Sequence, residues 1–294
     1  MVTAGSSGSG GLPKPDVQFI EAYATDGLRV IGICSAPSTP PDHVVVHVHG
    51  YGGDFYSNRF VRECHVRLPA EGISFVSFNL RYSGYLTEAY SEADVSYVGS
   101  AVVDPDGVRL DLDAVLHELN VPSAKLVLQG HSFGTNVVKC FAEDHPDIER
   151  IVFLSPSDSE GLYRDWTRQN LDVGAPEPDQ DPTQLRWDLF GIVTSRQSYP
   201  LPITGETFQS LMSSRVFKAW SESAPSLDRS ALVLQGEADP ISMSGTTGSD
   251  EVMRRLLPDA TSITIDGAGH LFSGKEMEMC DSLNAWIRGS KARS

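Results

Sequence analysis

Short strand-like segments alternate with segments of helical periodicity along most of this 294-residue chain. The strand-like runs are rich in β-branched and aromatic residues, a composition typical of strands that are buried on both faces. The segments between them, such as 57–68, place their apolar residues on one face of a helix. This alternation predicts an α/β fold with a mostly parallel central sheet flanked by helices. After an opening hairpin at 17–36, the predicted strands cover 43–50, 73–82, 124–130, 149–157, 230–238 and 261–269.

Two long segments interrupt this alternation. Residues 83–107 form an acidic connection without Lys or Arg, and a loop of that length is expected to be either functional or disordered. Residues 159–229 contain short helical patterns and three of the four tryptophans. We interpret 159–229 as a helical cap inserted into an α/β core made of 16–158 and 230–294. The alternative is a helical insertion that packs around a small core of its own. Residues 1–15, rich in Gly and Ser, are predicted to be disordered.

The pentapeptide Gly130-His131-Ser132-Phe133-Gly134 lies where a predicted strand ends and a predicted helix begins. A sharp turn at such a junction lifts a serine hydroxyl above the sheet, and glycines on either side avoid collisions between neighbouring backbones. The helix dipole and the N–H groups at the start of the helix favour a developing negative charge. The pattern alone is common, but in this setting it predicts Ser132 as a nucleophile. We expect the side chain of His131 to pack beside it.

A serine nucleophile needs a base to remove its proton, and the base needs a carboxylate to orient it. Residues that directly follow parallel strands meet at one edge of the sheet, where ligands bind. His270 follows the last predicted strand, and we predict that it is the base. We predict Asp239, which follows the preceding strand, as the carboxylate. Asp158 also follows a strand and is the main alternative, while Glu237 is a weaker one.

The Gly-rich run after the strand at 43–50 can complete such a site. Hydrolysis through a tetrahedral intermediate requires donors for its oxyanion, and backbone N–H groups often serve. We predict the amides of Tyr51 and of Phe133, the residue after the nucleophile, as these donors. Gly50 and Gly52 let the backbone turn and approach a substrate. The simpler alternative is a turn without a ligand; a phosphate-binding loop is disfavoured because the G-x-x-x-x-G-K-[ST] pattern is missing.

Taken in order, the segments H-G-Y-G-G, G-H-S-F-G, G-E-A-D-P and G-A-G-H resemble those of α/β-hydrolase-fold serine hydrolases. The resemblance covers the chain from residue 16 to residue 290 and implies a catalytic triad, an oxyanion hole and a cap at 159–229. The segment F-N-L-R-Y-S-G-Y departs from the family's D-x-R-G-x-G turn, with Asn79 at the Asp position and Tyr82 at the first Gly. The matching positions are Ser132, Asp239 and His270 for the triad, and Tyr51 and Phe133 for the oxyanion hole.

These residues predict hydrolysis of an ester or thioester through an acyl-enzyme. The aromatic residues of 159–229 favour a mostly apolar small-molecule acyl substrate. One alternative is an acyltransferase or cyclase of a biosynthetic pathway, in which the same serine passes the acyl group to an acceptor other than water. Another is a non-catalytic ligand-binding protein on the same fold. The predicted substrate contacts are Gly50, Gly52, His131, Trp187 and Trp220.

The acidic charge of the chain limits its partners. With 23 Lys and Arg against 39 Asp and Glu, the formal net charge of −16 argues against nucleic acid or an anionic membrane as a partner. No apolar run is long enough to span a membrane. The four cysteines are scattered without metal-ligand spacing, which predicts buried reduced thiols, a cytoplasmic location, and no metal or other cofactor. We expect a small-molecule substrate as the partner, with a homodimer as one option for assembly.

Overall fold

Strands and helices alternate along the chain, as the sequence predicts. The computed structural model describes residues 14–90, 95–162, 185–186, 191–194, 197–200, 203–221, 224–241 and 249–289. The strands, in chain order, are β1 (Asp16–Tyr23), β2 (Arg29–Ala36), β3 (His43–Val48), β4 (Ile73–Phe78), β5 (Thr87–Tyr90), β6 (Val95–Val98), β7 (Leu126–His131), β8 (Arg150–Leu154), β9 (Leu185–Arg186), β10 (Gly191–Thr194), β11 (Gln197–Pro200), β12 (Ile203–Thr204), β13 (Ser230–Gly236) and β14 (Thr261–Ile265). The α-helices are α1 (Arg59–Ala70), α2 (Val108–Leu119), α3 (Phe133–Asp144), α4 (Gly205–Ser213), α5 (Ser249–Leu256) and α6 (Glu276–Ile287), and short 3₁₀ helices cover Pro105–Gly107 and Ser123–Lys125.

Eight of these strands form one sheet in the order β1-β2-β4-β3-β7-β8-β13-β14. β2 pairs antiparallel with both β1 and β4. All the other neighbours in this sheet pair in parallel, which confirms the predicted mostly parallel α/β architecture. The carboxyl ends of β3, β7, β8, β13 and β14 therefore meet at one edge of the sheet.

Helices cover both faces of this sheet. α1 and α6 pack on one face, where the core includes Phe60, Cys64 and Leu283. α2 and α3 pack on the other face, where the core includes Leu112 and Phe141. All the apolar residues that helical periodicity places on one side of α1 are buried, so the core follows the sequence pattern.

The four cysteines carry free thiols, as the sequence predicts. Cys34 is partly buried and the other three are buried. The Sγ atom of Cys64 in α1 lies 3.3 Å from that of Cys280 in α6. Burial raises the pKa of the Cys64 thiol well above its ordinary value, so this thiol is protonated at neutral pH.

Part of the acidic connection at 83–107 forms a hairpin, in which β5 pairs antiparallel with β6. The base of the hairpin is tied to the loop that follows β3. The N–H of Gly84 donates to the carbonyl of Gly53 at 3.1 Å, and the hydroxyl of Tyr51 donates to the carbonyl of Ser100 at 2.5 Å. The hairpin therefore adjoins the loop that is predicted to bind the oxyanion.

The insertion at 159–229 is described in part. It contains the antiparallel pairs β9–β12 and β10–β11 besides α4, so short strands occur where the sequence predicts only helices. Its final part packs on α3. The indole N–H of Trp220 donates to Oδ1 of Asn136 at 2.9 Å, and the guanidinium of Arg215 lies 2.8 Å from the carboxylate of Asp144.

Some predictions concern residues outside the described ranges. The residues outside these ranges include 1–13, 163–184 and Trp187. The disordered N-terminal segment and the cap over the sheet edge therefore stay predictions. Within the described ranges, no helix combines the length and the apolar character that crossing a membrane requires.

Candidate active site

Ser132 lies at the sharp turn between β7 and α3. Its backbone has φ 54° and ψ −125°, a conformation that residues with a side chain rarely adopt. The N–H of Ser132 donates to the carbonyl of Leu154 on the neighbouring β8 at 3.0 Å, which holds the turn against the sheet. This is the local structure that the G-x-S-x-G pattern predicts at a strand–helix junction.

Close backbone contacts explain the two glycines of this turn. A Cβ atom on Gly130 would lie 2.4 Å from the carbonyl oxygen of Gly134. A Cβ atom on Gly134 would lie 2.3 Å from the carbonyl oxygen of Val48, at the end of β3. Because both distances are far below van der Waals contact, α3 can pack against the ends of β3 and β7 only with glycine at both positions.

Ser132, His270 and Asp239 form a continuous chain of hydrogen bonds. Nε2 of His270 lies 2.9 Å from Oγ of Ser132. On the other side of the ring, Nδ1 lies 2.9 Å and 3.1 Å from the two carboxylate oxygens of Asp239. Because a carboxylate only accepts, Nδ1 carries the ring proton and Nε2 accepts from the serine hydroxyl. The structure therefore brings together the three residues that the sequence predicts as a triad.

Asp239 is held as a carboxylate in a buried position. Its side chain is fully buried, while that of His270 is 12% exposed. Burial alone would raise the pKa of Asp239, but the hydrogen bond and charge of His270 and the N–H of Ile241 outweigh it and hold that pKa below its ordinary value. The Ile241 N–H donates to Oδ1 at 2.9 Å. Asp239 is therefore ionised at neutral pH and can orient the imidazole.

The two alternative carboxylates contact other groups. Oδ1 of Asp158 accepts from the N–H of Gly161 at 2.9 Å, within the helical turn that follows it. Oε2 of Glu237 accepts from the N–H of Gly267 at 3.0 Å, in the turn after β14. Asp239 is thus the one of the three candidates that contacts the ring of the base.

A buried histidine fixes the loop after β3. Nδ1 of His49 donates to the carbonyl of Gly50 at 2.8 Å, while its Nε2 faces the N–H of Leu80 at 3.2 Å and the hydroxyl of Ser83 at 2.8 Å. Burial lowers the pKa of His49 to about 4, so the ring is neutral and its tautomer is fixed. The sequence alone predicts no role for His49, and its place before the glycine that ends the predicted strand is the one signal that points to it.

The same loop orients the amide of Tyr51. The carbonyl of Gly50 accepts from the N–H of Gly53 at 3.0 Å, and the described peptide bonds are trans, so the Tyr51 N–H points away from that carbonyl. Gly50 adjoins the nucleophile, because a Cβ atom on it would lie 3.1 Å from Cβ of Ser132. Phe133 is the first residue of α3, and its N–H has no partner within the helix. Both predicted oxyanion amides therefore belong to backbone segments that adjoin Ser132.

The side chain of Tyr51 supports this loop. Besides its hydrogen bond to Ser100, the ring packs edge-on against Phe133, with 5.1 Å between the ring centroids. Gly52 has φ 66°, in the left-handed region that favours glycine. These contacts fix the backbone from which the Tyr51 amide projects.

His131 packs behind the nucleophile and contacts the loop of the base. Its Nε2 lies 2.9 Å from the carbonyl oxygen of His270, and its ring centroid lies 4.9 Å from that of Phe60. Burial and the charge of His270 lower the pKa of His131 to about 3, so the ring is neutral. Its side chain is almost fully buried, which leaves little surface for the substrate contact that the sequence predicts.

Trp220 lies in the core beside α3. Its ring packs edge-on against Phe153 at 5.2 Å between centroids, and its N–H is occupied by Asn136. The substrate contact predicted for Trp220 would require this packing to open, and that predicted for Trp187 concerns a residue outside the described ranges. In the part of the chain that the structure describes, no three His, Cys, Asp or Glu side chains are grouped to hold a metal ion.

Three solved structures illustrate what this chain is similar to. DcsB in complex with its substrate analogue superposes with a TM-score of 0.63 at 18% identity, covering 95% of this chain and 100% of that chain. Est1E from Butyrivibrio proteoclasticus with bound ferulic acid superposes with a TM-score of 0.63 at 14% identity, covering 92% of this chain and 99% of that chain. The esterase domain of a Rhodothermus marinus protein superposes with a TM-score of 0.61 at 17% identity, covering 93% and 98%. At such identities, these similarities show the fold alone.

The sequence comparison shows the family. No curated protein sequence matches the chain. The sequence profile described as the alpha/beta hydrolase family matches residues 45–278, a span that includes the nucleophile turn and the loops that carry Asp239 and His270. This chain therefore belongs to the alpha/beta hydrolase family.

Proposed function

We propose that the protein is a serine hydrolase that cleaves carboxylic esters or thioesters with a mostly apolar acyl group. The observation that carries the proposal is the hydrogen-bonded chain from Oγ of Ser132 through the ring of His270 to the carboxylate of Asp239. A fold by itself does not assign a function, so the proposal rests on this site and on the family to which the chain belongs.

The geometry supports acylation of Ser132 in the first half of the reaction. Nε2 of His270 takes the hydroxyl proton as Oγ attacks the carbonyl carbon of the substrate. The ring becomes positively charged, and the buried carboxylate of Asp239 stabilises that charge and holds the ring in place. His270 then donates the proton to the leaving alcohol or thiol, and the acyl group remains on Ser132.

The tetrahedral intermediate of this step carries a negative charge on the former carbonyl oxygen. We assign its stabilisation to the backbone N–H groups of Tyr51 and Phe133. The His49 ring and the Gly53 N–H hold the Gly50 carbonyl turned away from the Tyr51 amide, so one donor is oriented before the substrate binds. Donors that need no reorganisation during the reaction contribute most to the rate.

Deacylation uses the same groups in reverse. His270 removes a proton from a water molecule, and the resulting hydroxide attacks the acyl carbon. The oxyanion forms again at the same two amides, and the collapse of the intermediate returns the proton from His270 to Oγ of Ser132. The free acid leaves, and the hydrogen-bonded chain is restored.

Exposed apolar side chains beside the site favour an apolar substrate. Leu271, which follows the base, is 46% exposed, and Tyr85 at the base of the hairpin is 51% exposed. The ring of Tyr85 approaches the oxyanion loop, since a Cβ atom on Gly52 would lie 3.7 Å from it. Large apolar side chains therefore flank both the base and the oxyanion loop. A small polar acyl group would leave these side chains exposed to water, whereas an apolar acyl group would cover them.

Turnover of a substrate series tests this proposal. The series contains p-nitrophenyl esters of increasing acyl length, an aryl thioester and, because ferulic acid is bound in Est1E, a methyl hydroxycinnamate. We expect turnover of at least one apolar ester and a loss of about 10⁴-fold or more in kcat for Ser132→Ala. Free acid as the product supports hydrolysis. Recovery of the acyl group on an added alcohol or amine would assign the protein to acyl transfer, and no turnover of any substrate would contradict the proposal.

A further inference from the structure

We propose that His131 is a positioning residue, which holds the imidazole of His270 in register with Ser132 by donating a hydrogen bond to the backbone carbonyl of His270. The inference rests on the proposed function and adds to it a second histidine that does not touch the substrate. The hydrogen bond is made to the backbone of the loop that carries His270, and the position of the imidazole ring follows from that of the loop.

The hydrogen bond defines the tautomer of His131. The His270 carbonyl oxygen only accepts, so Nε2 of His131, at 2.9 Å from it, carries the proton. Its other nitrogen, Nδ1, is buried and has no hydrogen-bond partner among the described residues. A ring with the proton on Nδ1 would leave a buried donor unpaired and would lose the bond to the carbonyl, and an unpaired buried donor is costly.

The position of His131 in the chain makes this bond a link between the nucleophile and the base. His131 is the last residue of β7 and directly precedes Ser132. His131 is 2% exposed, and its ring centroid lies 4.9 Å from that of Phe60 and 5.0 Å from that of His270. A single buried segment therefore carries the nucleophile and an anchor for the loop of the base.

The ring of His131 performs this role without adding a charge. Burial and the nearby ring of His270 keep it neutral, although Asp239 also lies close enough to act on it. A cation at this place would oppose formation of the His270 imidazolium, which the reaction requires. A neutral N–H donor holds the loop without placing a positive charge beside the ring of the base.

Two substitutions separate the hydrogen bond from the packing. His131→Gln keeps an N–H donor at about the position of Nε2, while His131→Met has a similar volume without a donor. We expect His131→Met to lower kcat by about 10–100-fold with little change in KM, because a small displacement of a catalytic group has an effect of this size. We expect His131→Gln to recover most of kcat. Equal kcat for His131→Met and wild type, or equal loss in both variants, would overturn the inference.

A matched control addresses the packing of the ring. Phe60→Leu removes one of the rings that enclose His131 but leaves its hydrogen bond, so we expect lower stability with kcat little changed. The rate of inactivation by a fluorophosphonate, measured on the same variants, reports activation of Ser132 without a chosen substrate. If the wild-type protein neither turns over esters nor reacts with this probe, the proposed function fails, which is distinct from failure of this inference alone.

A measurement on the wild-type protein covers the case in which His131→Met does not fold. Nitrogen chemical shifts of ¹⁵N-labelled histidine distinguish the two tautomers and the charged ring. We expect His131 to show a protonated Nε2 and a bare Nδ1, unchanged between pH 5 and 9. A protonated Nδ1, or titration of the His131 ring in that range, would overturn the inference.

Discussion

Nδ1 of His270 lies 2.9 Å from Oδ2 of Asp239, although the two residues follow different strands of the sheet and are 31 positions apart. The carboxylate is fully buried and accepts a further hydrogen bond from the Ile241 N–H. A buried anion in this position fixes the tautomer that the reaction requires, with the proton on Nδ1 and Nε2 facing Ser132.

Replacing this carboxylate tests the assignment of the triad acid. We expect Asp239→Asn to lower kcat by about 10⁴-fold, because the neutral amide favours the wrong tautomer and cannot stabilise the imidazolium. Asp158→Asn is the matched control, since Asp158 also follows a strand but binds the N–H of Gly161. We expect it to keep most of kcat and most of its stability, because the amide oxygen of Asn can accept the same hydrogen bond. A larger loss of kcat in Asp158→Asn would move the role to Asp158.

One substitution separates the role of the Tyr51 hydroxyl from that of the Tyr51 backbone amide. Because the amide is the proposed donor to the oxyanion, Tyr51→Phe leaves that donor in place and removes the hydrogen bond from the hydroxyl to the Ser100 carbonyl. We expect kcat to stay within about threefold of wild type and the free energy of unfolding to fall by about 1 kcal/mol. Steady-state kinetics and urea unfolding measure the two effects. A fall in kcat of about 100-fold would show that the hydroxyl takes part in the reaction.

The glycine at the start of α3 is required by packing, and its replacement is expected to be costly. In Gly134→Ala the new Cβ atom would lie 2.3 Å from the carbonyl oxygen of Val48 and 2.6 Å from that of His49. We expect a loss of about 1–3 kcal/mol or more in urea unfolding, as for other overpacked positions. Gly269→Ala is the comparison, because a Cβ atom there has no neighbour within 4 Å. Equal stability of the two variants would show that the contact at Gly134 relaxes freely.

Buried neutral histidines make stability depend on pH. Nε2 of His65 donates to the hydroxyl of Ser77, which donates to the Phe55 carbonyl, and Nδ1 accepts from the hydroxyl of Ser35. Burial lowers the pKa of His65 to about 4. Between this pKa and the unfolded value of about 6.5, the unfolded chain binds the proton and the folded protein does not. The stabilisation is therefore complete above about pH 6.5 and is lost as pH falls towards 4, by about 3 kcal/mol for one such histidine.

Urea unfolding at a series of pH values measures this effect. We expect the free energy of unfolding to fall steadily from pH 7 to pH 4 in the wild-type protein. His65→Gln removes one titrating ring, so its dependence on pH should be less steep in the same interval. If the free energy of unfolding of His65→Gln falls with pH as steeply as that of the wild-type protein, His65 does not contribute to the pH dependence of stability.

The parts of the site that follow from local pattern could be predicted from the sequence. The turn at Ser132 depends on a strand, a helix and two glycines within a few positions, and all are visible in the chain. The positions of Asp239 and His270 follow from a general property of parallel sheets, because both residues lie in loops that follow parallel strands. The choice between Asp239 and Asp158 depended on the direction of two side chains, which no local pattern contains.

Other features depend on contacts between distant segments and could not be predicted in this way. The bond from His131 to the His270 carbonyl joins residues 139 positions apart. The hairpin of β5 and β6 lies in an acidic stretch with weak alternation, and the strands β9 to β12 are two to four residues long, so neither has the periodicity that identifies a strand. The burial of Trp220 against α3 depends on how the insertion folds back, which its composition does not indicate.

Covalent labelling tests the central claim, that Ser132 is an activated nucleophile. A fluorophosphonate forms a stable bond with such a serine, and peptide mass spectrometry locates the adduct. We expect one adduct per chain, on the peptide that contains Ser132, with no adduct in Ser132→Ala and a much slower reaction in His270→Ala, which lacks the base. An adduct on another residue, or equal labelling of wild type and Ser132→Ala, would contradict the claim.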